Sequence, residues 1–176
     1  TIRAVPIEFL SKDLCLAAVQ NEPSVLKDIP ECFRTKDIVF ESVKKNDYMF
    51  RYVPDNLLTE DLIMDVVQNH GGTFARILRE IPKNKQTEKI CLAAINEDGR
   101  NLELIAKSLQ TESICLTAVS NFGPSIKYVS VRFLSESVCF AAVKADPGAI
   151  RYVPKKFQSI ELCSFACRNG LHRWDI

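Results

Sequence analysis

Seven cysteines and two histidines are the side chains of this 176-residue chain with the widest chemical repertoire. Their spacing decides what they can do. Cys15, Cys91, Cys115, Cys139 and Cys163 are separated by 76, 24, 24 and 24 residues, and no CxxC pair occurs. Disulfide and zinc frameworks bring their ligands close together in sequence, so this spacing argues for neither. Near the C-terminus, Cys163, Cys167 and His172 could approach one another, and a Cys–His pair can make a nucleophile. Cys163, however, falls in the 24-residue register, and His70 and His172 lie about four such periods apart, too far to share a site. Glycine-rich phosphate loops, HExxH and GxSxG are absent. These residues predict no catalytic group, no metal ligand and no cofactor. A cysteine at one position per period reads as a small buried hydrophobe in a reducing compartment.

A second series could bind rather than react. Arg3, Lys27, Arg51, Arg79, Lys127 and Arg151 stand three residues before a recurring proline site, with Glu103 the single exception. Tyr52, Tyr128 and Tyr152 flank three of them. On a helical wheel this position lies opposite the apolar residues one and four places before the proline, so it faces solvent. Two readings stand side by side. The cations can form a solvated face that neutralises helix-end carbonyls or first-turn acids. They can also form a basic strip, edged by tyrosine, that docks an acidic protein partner, since Arg and Tyr are common at interfaces. Nucleic acid fits less well, because the net charge is only +1 and every period carries acids.

The elements that position these residues come from one repeat. Ser11, Thr35, Thr59, Thr87, Thr111, Ser135 and Ser159 are 24, 24, 28, 24, 24 and 24 residues apart, and the proline site (Pro6, Pro30, Pro54, Pro82, Ala106, Ser130, Pro154) keeps the same intervals. Each Ser or Thr suits a helix N-cap. An acid within two residues of it (Asp13, Asp37, Glu60, Glu88, Glu112, Glu136, Glu161) complements the helix dipole. Apolar residues at plus three, four, seven and eight form one helical face, as Leu14, Cys15, Ala18 and Val19 do. The plus-seven residue is small except at Val66, which lets neighbouring helices approach closely.

A break follows at Pro23, Gly71-Gly72, Gly99, Gly123-Pro124 and Pro147-Gly148. A short second helix then ends before the proline, with Leu26 and Ile29, Phe50 and Val53, and Ile150 and Val153 as its buried pairs. Three residues beyond the proline site comes a further apolar anchor: Phe9, Phe33, Leu57, Leu109, Phe133 and Phe157, with Lys85 the departure. The unit from Thr59 to Pro82 carries four extra residues after Asn69. That is close to one helical turn, so its second helix can lengthen with its apolar face still inward.

One such unit cannot bury its own face, so neighbours must stack. The expected fold is all-α: a right-handed α-solenoid of about seven 24-residue helix-turn-helix repeats, forming one domain over residues 1–176. Units start near 11, 35, 59, 87, 111, 135 and 159. A leucine-rich-repeat horseshoe is the weaker alternative, because Leu-x-Leu strand alternation is missing and Ala-Ala stands where a strand would be needed. The N-terminal TIRAVP matches the second half of a unit, which leads us to expect a piece of a larger protein. Trp174 falls where Leu26 and Ile150 fall, and is expected to pack on the last unit or on a following segment. No stretch is apolar enough to span a bilayer, and no secretory signal is visible.

LCLAAV (Leu14 to Val19), ICLAAI (Ile90 to Ile95), ICLTAV (Ile114 to Val119) and VCFAAV (Val138 to Val143), each followed by an apolar pair and the last by Val-Pro (Val153-Pro154), carry a resemblance. The chain resembles the helical repeat family known as domain of unknown function four-one-one-six, over essentially its whole length. Val39 and Ile63 depart from the cysteine position but keep its hydrophobicity. Arrays of this kind occur in effector-type proteins that intracellular bacteria such as Legionella deliver into host cells. The resemblance therefore implies an interaction scaffold, or the targeting module of such an effector, working in a cytosol. It transfers no active site. The alternative is a structural or regulatory spacer beside an enzyme encoded elsewhere in the protein.

Overall fold

The computed structural model describes residues 2–70 and 73–170, with side chains for all of these but Asn69 and His70. Gly71, Gly72, His172, Trp174 and the side chain of His70 lie outside the described residues. Eight α-helices form: α1 (Lys12–Asn21), α2 (Lys36–Lys45), α3 (Glu60–His70), α4 (Phe74–Glu80), α5 (Glu88–Glu97), α6 (Glu112–Asn121), α7 (Glu136–Ala145) and α8 (Ile160–Arg168). No strand occurs among the described residues, which excludes the horseshoe there. The chain is all-α and repetitive.

The N-caps work as their residue types dictate. Ser11, Thr59, Thr87, Thr111, Ser135 and Ser159 each accept a hydrogen bond from the amide three residues on, at 3.2–3.3 Å. This satisfies one of the free donors of the first turn. Thr35 stands at its cap without such a bond.

The second half of each regular repeat is a 3-10 helix rather than an α-helix. It spans Pro23–Asp28, Asp47–Tyr52, Gly99–Leu104, Gly123–Tyr128 and Pro147–Tyr152. A single extended residue joins it to the preceding α-helix, as at Phe122 (φ −149°, ψ 98°). A third element follows the proline site, a 3-10 turn of three residues such as Glu31–Phe33, Val131–Phe133 or Lys155–Phe157. In the 28-residue repeat the added turn converts the second half into an α-helix. This is α4, whose Phe74, Ile77 and Leu78 are buried.

Contacts divide the chain into two compact units, Thr1–Lys85 and Gln86–Ile176. In the first, α2 packs on α1 and on α3; in the second, α6 packs on α5 and α7, and α7 on α8. The register residues fill these contacts: Ile114, Cys115, Ala118 and Val119 are fully buried, as are Val138, Cys139, Ala142 and Val143. The paired residues before each proline site are buried too, from Leu26 and Ile29 to Ile150 and Val153.

Several expected core positions differ. Leu14 is 41% exposed and Phe9 69% exposed. Phe33, Leu57, Leu109, Phe133 and Phe157 are only half-buried: a three-residue turn lies at the edge of the stack and covers one side of the ring or chain. Cys163 is half-buried and Cys167 exposed, whereas Leu162 and Ala166 on the face of α8 towards α7 are buried.

Two glycines permit the closest approach between repeats. A Cβ on Gly99 would stand 2.4 Å from the Ala118 carbonyl oxygen, and one on Gly123 2.4 Å from that of Ala142. The small plus-seven residues and these glycines thus bring one repeat's second half against the next repeat's α-helix. Ser125 Oγ donates to the Gly99 carbonyl at 2.8 Å, and in the first unit Ser42 Oγ donates to that of Pro23 at 2.8 Å. Both hydroxyls are fully buried and satisfied.

Candidate interaction face

The residues three before each proline site are all exposed: Arg3, Lys27, Arg51, Arg79, Glu103, Lys127 and Arg151. Arg3, Arg51 and Lys127 each contact the side chain that lies two before the proline site in the next repeat. Arg3 Nη2 pairs with Asp28 Oδ1 at 2.7 Å, and Arg51 Nη2 with Glu80 Oε2 at 2.7 Å. Hydrogen bonding from Arg3 holds the Asp28 carboxyl below the usual carboxylate range.

In the second unit the same register holds tyrosine. The Lys127 ammonium lies over the Tyr128 ring at 4.7 Å and over the Tyr152 ring of the next repeat at 5.6 Å. The Arg151 guanidinium lies 6.0 Å from the Tyr152 centroid and donates through Nε to the Gly148 carbonyl. Tyr152 is exposed and Tyr128 half-buried. A hydrogen bond to Tyr128 pushes the Lys127 pKa up, so the ammonium keeps its proton at any physiological pH. The first unit thus pairs Arg3 and Arg51 directly with carboxylates, and the second sets Lys127 among aromatic rings, with Glu103 acting on it only at longer range. Tyr52, half-buried, shares the tyrosine register in the first unit. Arg79 is exposed at the end of α4, and Lys27 is exposed beside Asp28.

The family profile for the domain of unknown function (DUF4116) matches residues 11–58 and 111–158, more than half of the chain. This chain belongs to the DUF4116 family. Each match spans two consecutive 24-residue repeats, and the stretch left between them contains the 28-residue repeat. Neither the curated proteins nor the solved structures yielded a match.

Within this DUF4116 chain most of the cysteines are shielded from solvent. Cys15, Cys91, Cys115 and Cys139 are fully buried. Burial pushes the Cys115 thiol up to about 11 and raises those of Cys15 and Cys139, because a thiolate loses its hydration there. Cys32 and Cys167 are exposed. Among the described residues no group of three His, Cys, Asp or Glu is placed to hold a metal ion, and no helix is long and apolar enough to cross a membrane.

One set of DUF4116 positions carries structure that the sequence pattern hid. The residue before each N-cap is either leucine (Leu10, Leu58, Leu134) or a long polar side chain (Arg34, Gln86, Gln110, Gln158). Three of the polar ones, Arg34, Gln110 and Gln158, bind backbone at the ends of the 3-10 helices. Arg34 donates to the Ile29 carbonyl and, in the next repeat, to that of Tyr52, both at 2.8 Å. Gln110 donates through Nε2 to the Tyr128 carbonyl at 3.0 Å and accepts through Oε1 from the Ser130 amide at 2.7 Å. The available signal was the covariation in kind: Arg34 faces a repeat whose site is Pro54, which has no N–H, and Gln110 faces Ser130, which has one.

Proposed function

We propose that this chain is a non-catalytic protein-binding repeat module that works in a reducing compartment, and that its binding face is the ladder of the second unit. A cytosol, that of a host cell included, is such a compartment. The observation that carries the reading is Lys127, exposed, charged and flanked by Tyr128 and Tyr152 from two successive repeats. Cations and tyrosines on a rigid scaffold bind partners at low entropic cost, since little side-chain freedom remains to be lost. Buried, weakly acidic thiols support the reducing compartment and give no help to catalysis.

The test is capture by the intact chain compared with a Lys127→Glu/Tyr152→Ala variant, with circular dichroism and the unfolding midpoint as controls for folding. A partner lost by the variant at unchanged stability supports the reading. Identical capture profiles for the two proteins would overturn it in favour of a spacer.

A further inference from the structure

Net charge hides a segregation within the chain. In the last three regular second halves, residues 99–110, 123–134 and 147–158, the charged side chains are Arg100, Lys107, Lys127, Arg132, Arg151, Lys155 and Lys156 against the single acid Glu103. The matching segments of the first unit, residues 23–34 and 47–58, hold Lys27, Arg34 and Arg51 against Asp28, Glu31, Asp47 and Asp55. The post-proline turns show the contrast along the chain: Glu8, Glu31 and Asp55 stand in the first three, Lys83 and Lys85 in the turn that closes the first unit, and Lys107, Arg132, Lys155 and Lys156 in the second unit, all exposed but Lys85.

Among the described residues no salt bridge engages the second unit's turn cations. The Lys107 ammonium donates to the Tyr128 carbonyl, beside the Lys127–Tyr128 pair. Arg132 reaches back one repeat and donates through Nη2 to the carbonyls of Lys107 at 3.0 Å and Gln110 at 3.2 Å, while its guanidinium lies 4.7 Å from the Phe133 centroid. Lys156 lies over Phe157 at 4.6 Å. Carbonyls and rings orient a cation but leave its unit charge in place. These turns therefore form a fixed basic edge, one or two charges per repeat, contiguous with the ladder through Lys107.

We infer that this edge, Lys107–Arg132–Lys155/Lys156, binds an acidic peptide segment in extended conformation, with one carboxylate addressed to each repeat. The inference rests on the protein-binding reading above and names the partner's chemistry. Neighbouring helices pack about 8–10 Å apart, and an extended chain rises about 3.3 Å per residue, so the matching carboxylates stand every third residue. A folded partner would have to bring carboxylates from separate parts of its chain to that spacing; an extended segment does so by default. Opposite signs along one line also favour fast, salt-sensitive association.

The experiment uses the whole chain and a fluorescein-labelled peptide of twelve residues, Glu at every third position and Gly or Ser between, read by fluorescence anisotropy at low and physiological salt. Binding should weaken at least tenfold in Lys107→Glu/Arg132→Glu/Lys156→Glu and stay within twofold in Lys12→Glu/Lys36→Glu, which reverses exposed lysines of the first unit outside the ladder. A peptide with the same number of glutamates in one block should bind several-fold more weakly. Equal binding of the block peptide overturns the spacing, and equal binding by the triple variant overturns the site. Tighter binding of single-stranded RNA of equal charge overturns the choice of occupant. Loss of natural-partner capture on Tyr152→Ala, with no peptide binding at all, would leave the protein-binding reading standing and sink this one.

Discussion

The two units solve the same stacking problem with different side chains, and the differences are matched in sets. Where the first unit brings Pro23 against Ser42, the second brings Gly99 and Gly123 against the carbonyls of Ala118 and Ala142. The residue before the N-cap is Arg34 facing Pro54 in one, and Gln110 facing Ser130 in the other. Ladder cations meet Asp28 and Glu80 in the first and Tyr152 in the second. The backbone is common; the chemistry that holds it is interchangeable only in whole sets. That makes each difference a place to test the comparison.

The largest effect should come from Gly123→Ala. Its Cβ would meet the Ala142 carbonyl oxygen at 2.4 Å and Asp146 Cβ at 2.8 Å, both parts of the packed stack rather than flexible tips. We expect a loss of about 3 kcal/mol, at the upper end of overpacking costs, seen as a lower urea midpoint. Gly148→Ala is the control: the nearest atom to its Cβ is Asp146 Oδ1 at 3.2 Å, so the midpoint should scarcely move.

Gln110→Arg comes next, because it gives the second unit the first unit's side chain without its proline. The Ser130 amide would lose its acceptor, at a cost of about 1–3 kcal/mol for a buried donor. Adding Ser130→Pro should recover most of that loss, since Ser130 already has φ −64° and ψ 139°, within the range of proline. Failure of the double variant to recover would separate the two positions that we treat as a set.

A third test uses pH. The Cys115 thiol ionises at about 11 in the folded chain against an ordinary value of 9.0. Its folded pKa is raised, so its contribution is complete below pH 9 and is lost as pH rises from 9 towards 11, when the unfolded chain gains the thiolate first. The loss should be on the order of 1–2 kcal/mol. Urea midpoints at pH 8 and 10.5, compared with those of Cys115→Ala, isolate it from the titration of tyrosines and lysines. Native alkylation at pH 8 should label Cys32 well before Cys115.

The smallest effect belongs to Arg51→Ala. Exposed ion pairs contribute little, so the unfolding midpoint should fall slightly at low salt and be indistinguishable from wild type in 1 M salt. Lys127→Ala, which loses only a longer-range attraction to Glu103, should show a smaller salt dependence.

Much of this was legible in the sequence because the repeat multiplies every signal. Seven caps in one register and small residues at plus seven leave few alternatives to stacked helices. The 3-10 form of the second halves was not legible. Their buried pairs, such as Leu26 and Ile29, are three apart, and a six-residue segment gives that spacing in either helix type. The exposure of Phe9 and Leu14 depends on what packs outside them, which a register cannot express. The ladder was visible, but its partners were not: Arg3 meets Asp28 and Arg51 meets Glu80 across 25 and 29 residues. The tyrosines drew attention to that register in the sequence, and the acids that alternate with them there passed unread.

The 28-residue repeat has a wider bearing. Four residues added between α3 and Ile81 left Leu78 and Ile81 buried and the following proline site in place. A helical hairpin in a stack can change length only in steps that return its apolar face to the same heading. Natural variation among such arrays should therefore cluster at insertions of three, four or seven residues within the second halves, while insertions of two or five should be rare. Loops grafted at this point for engineering would face the same arithmetic.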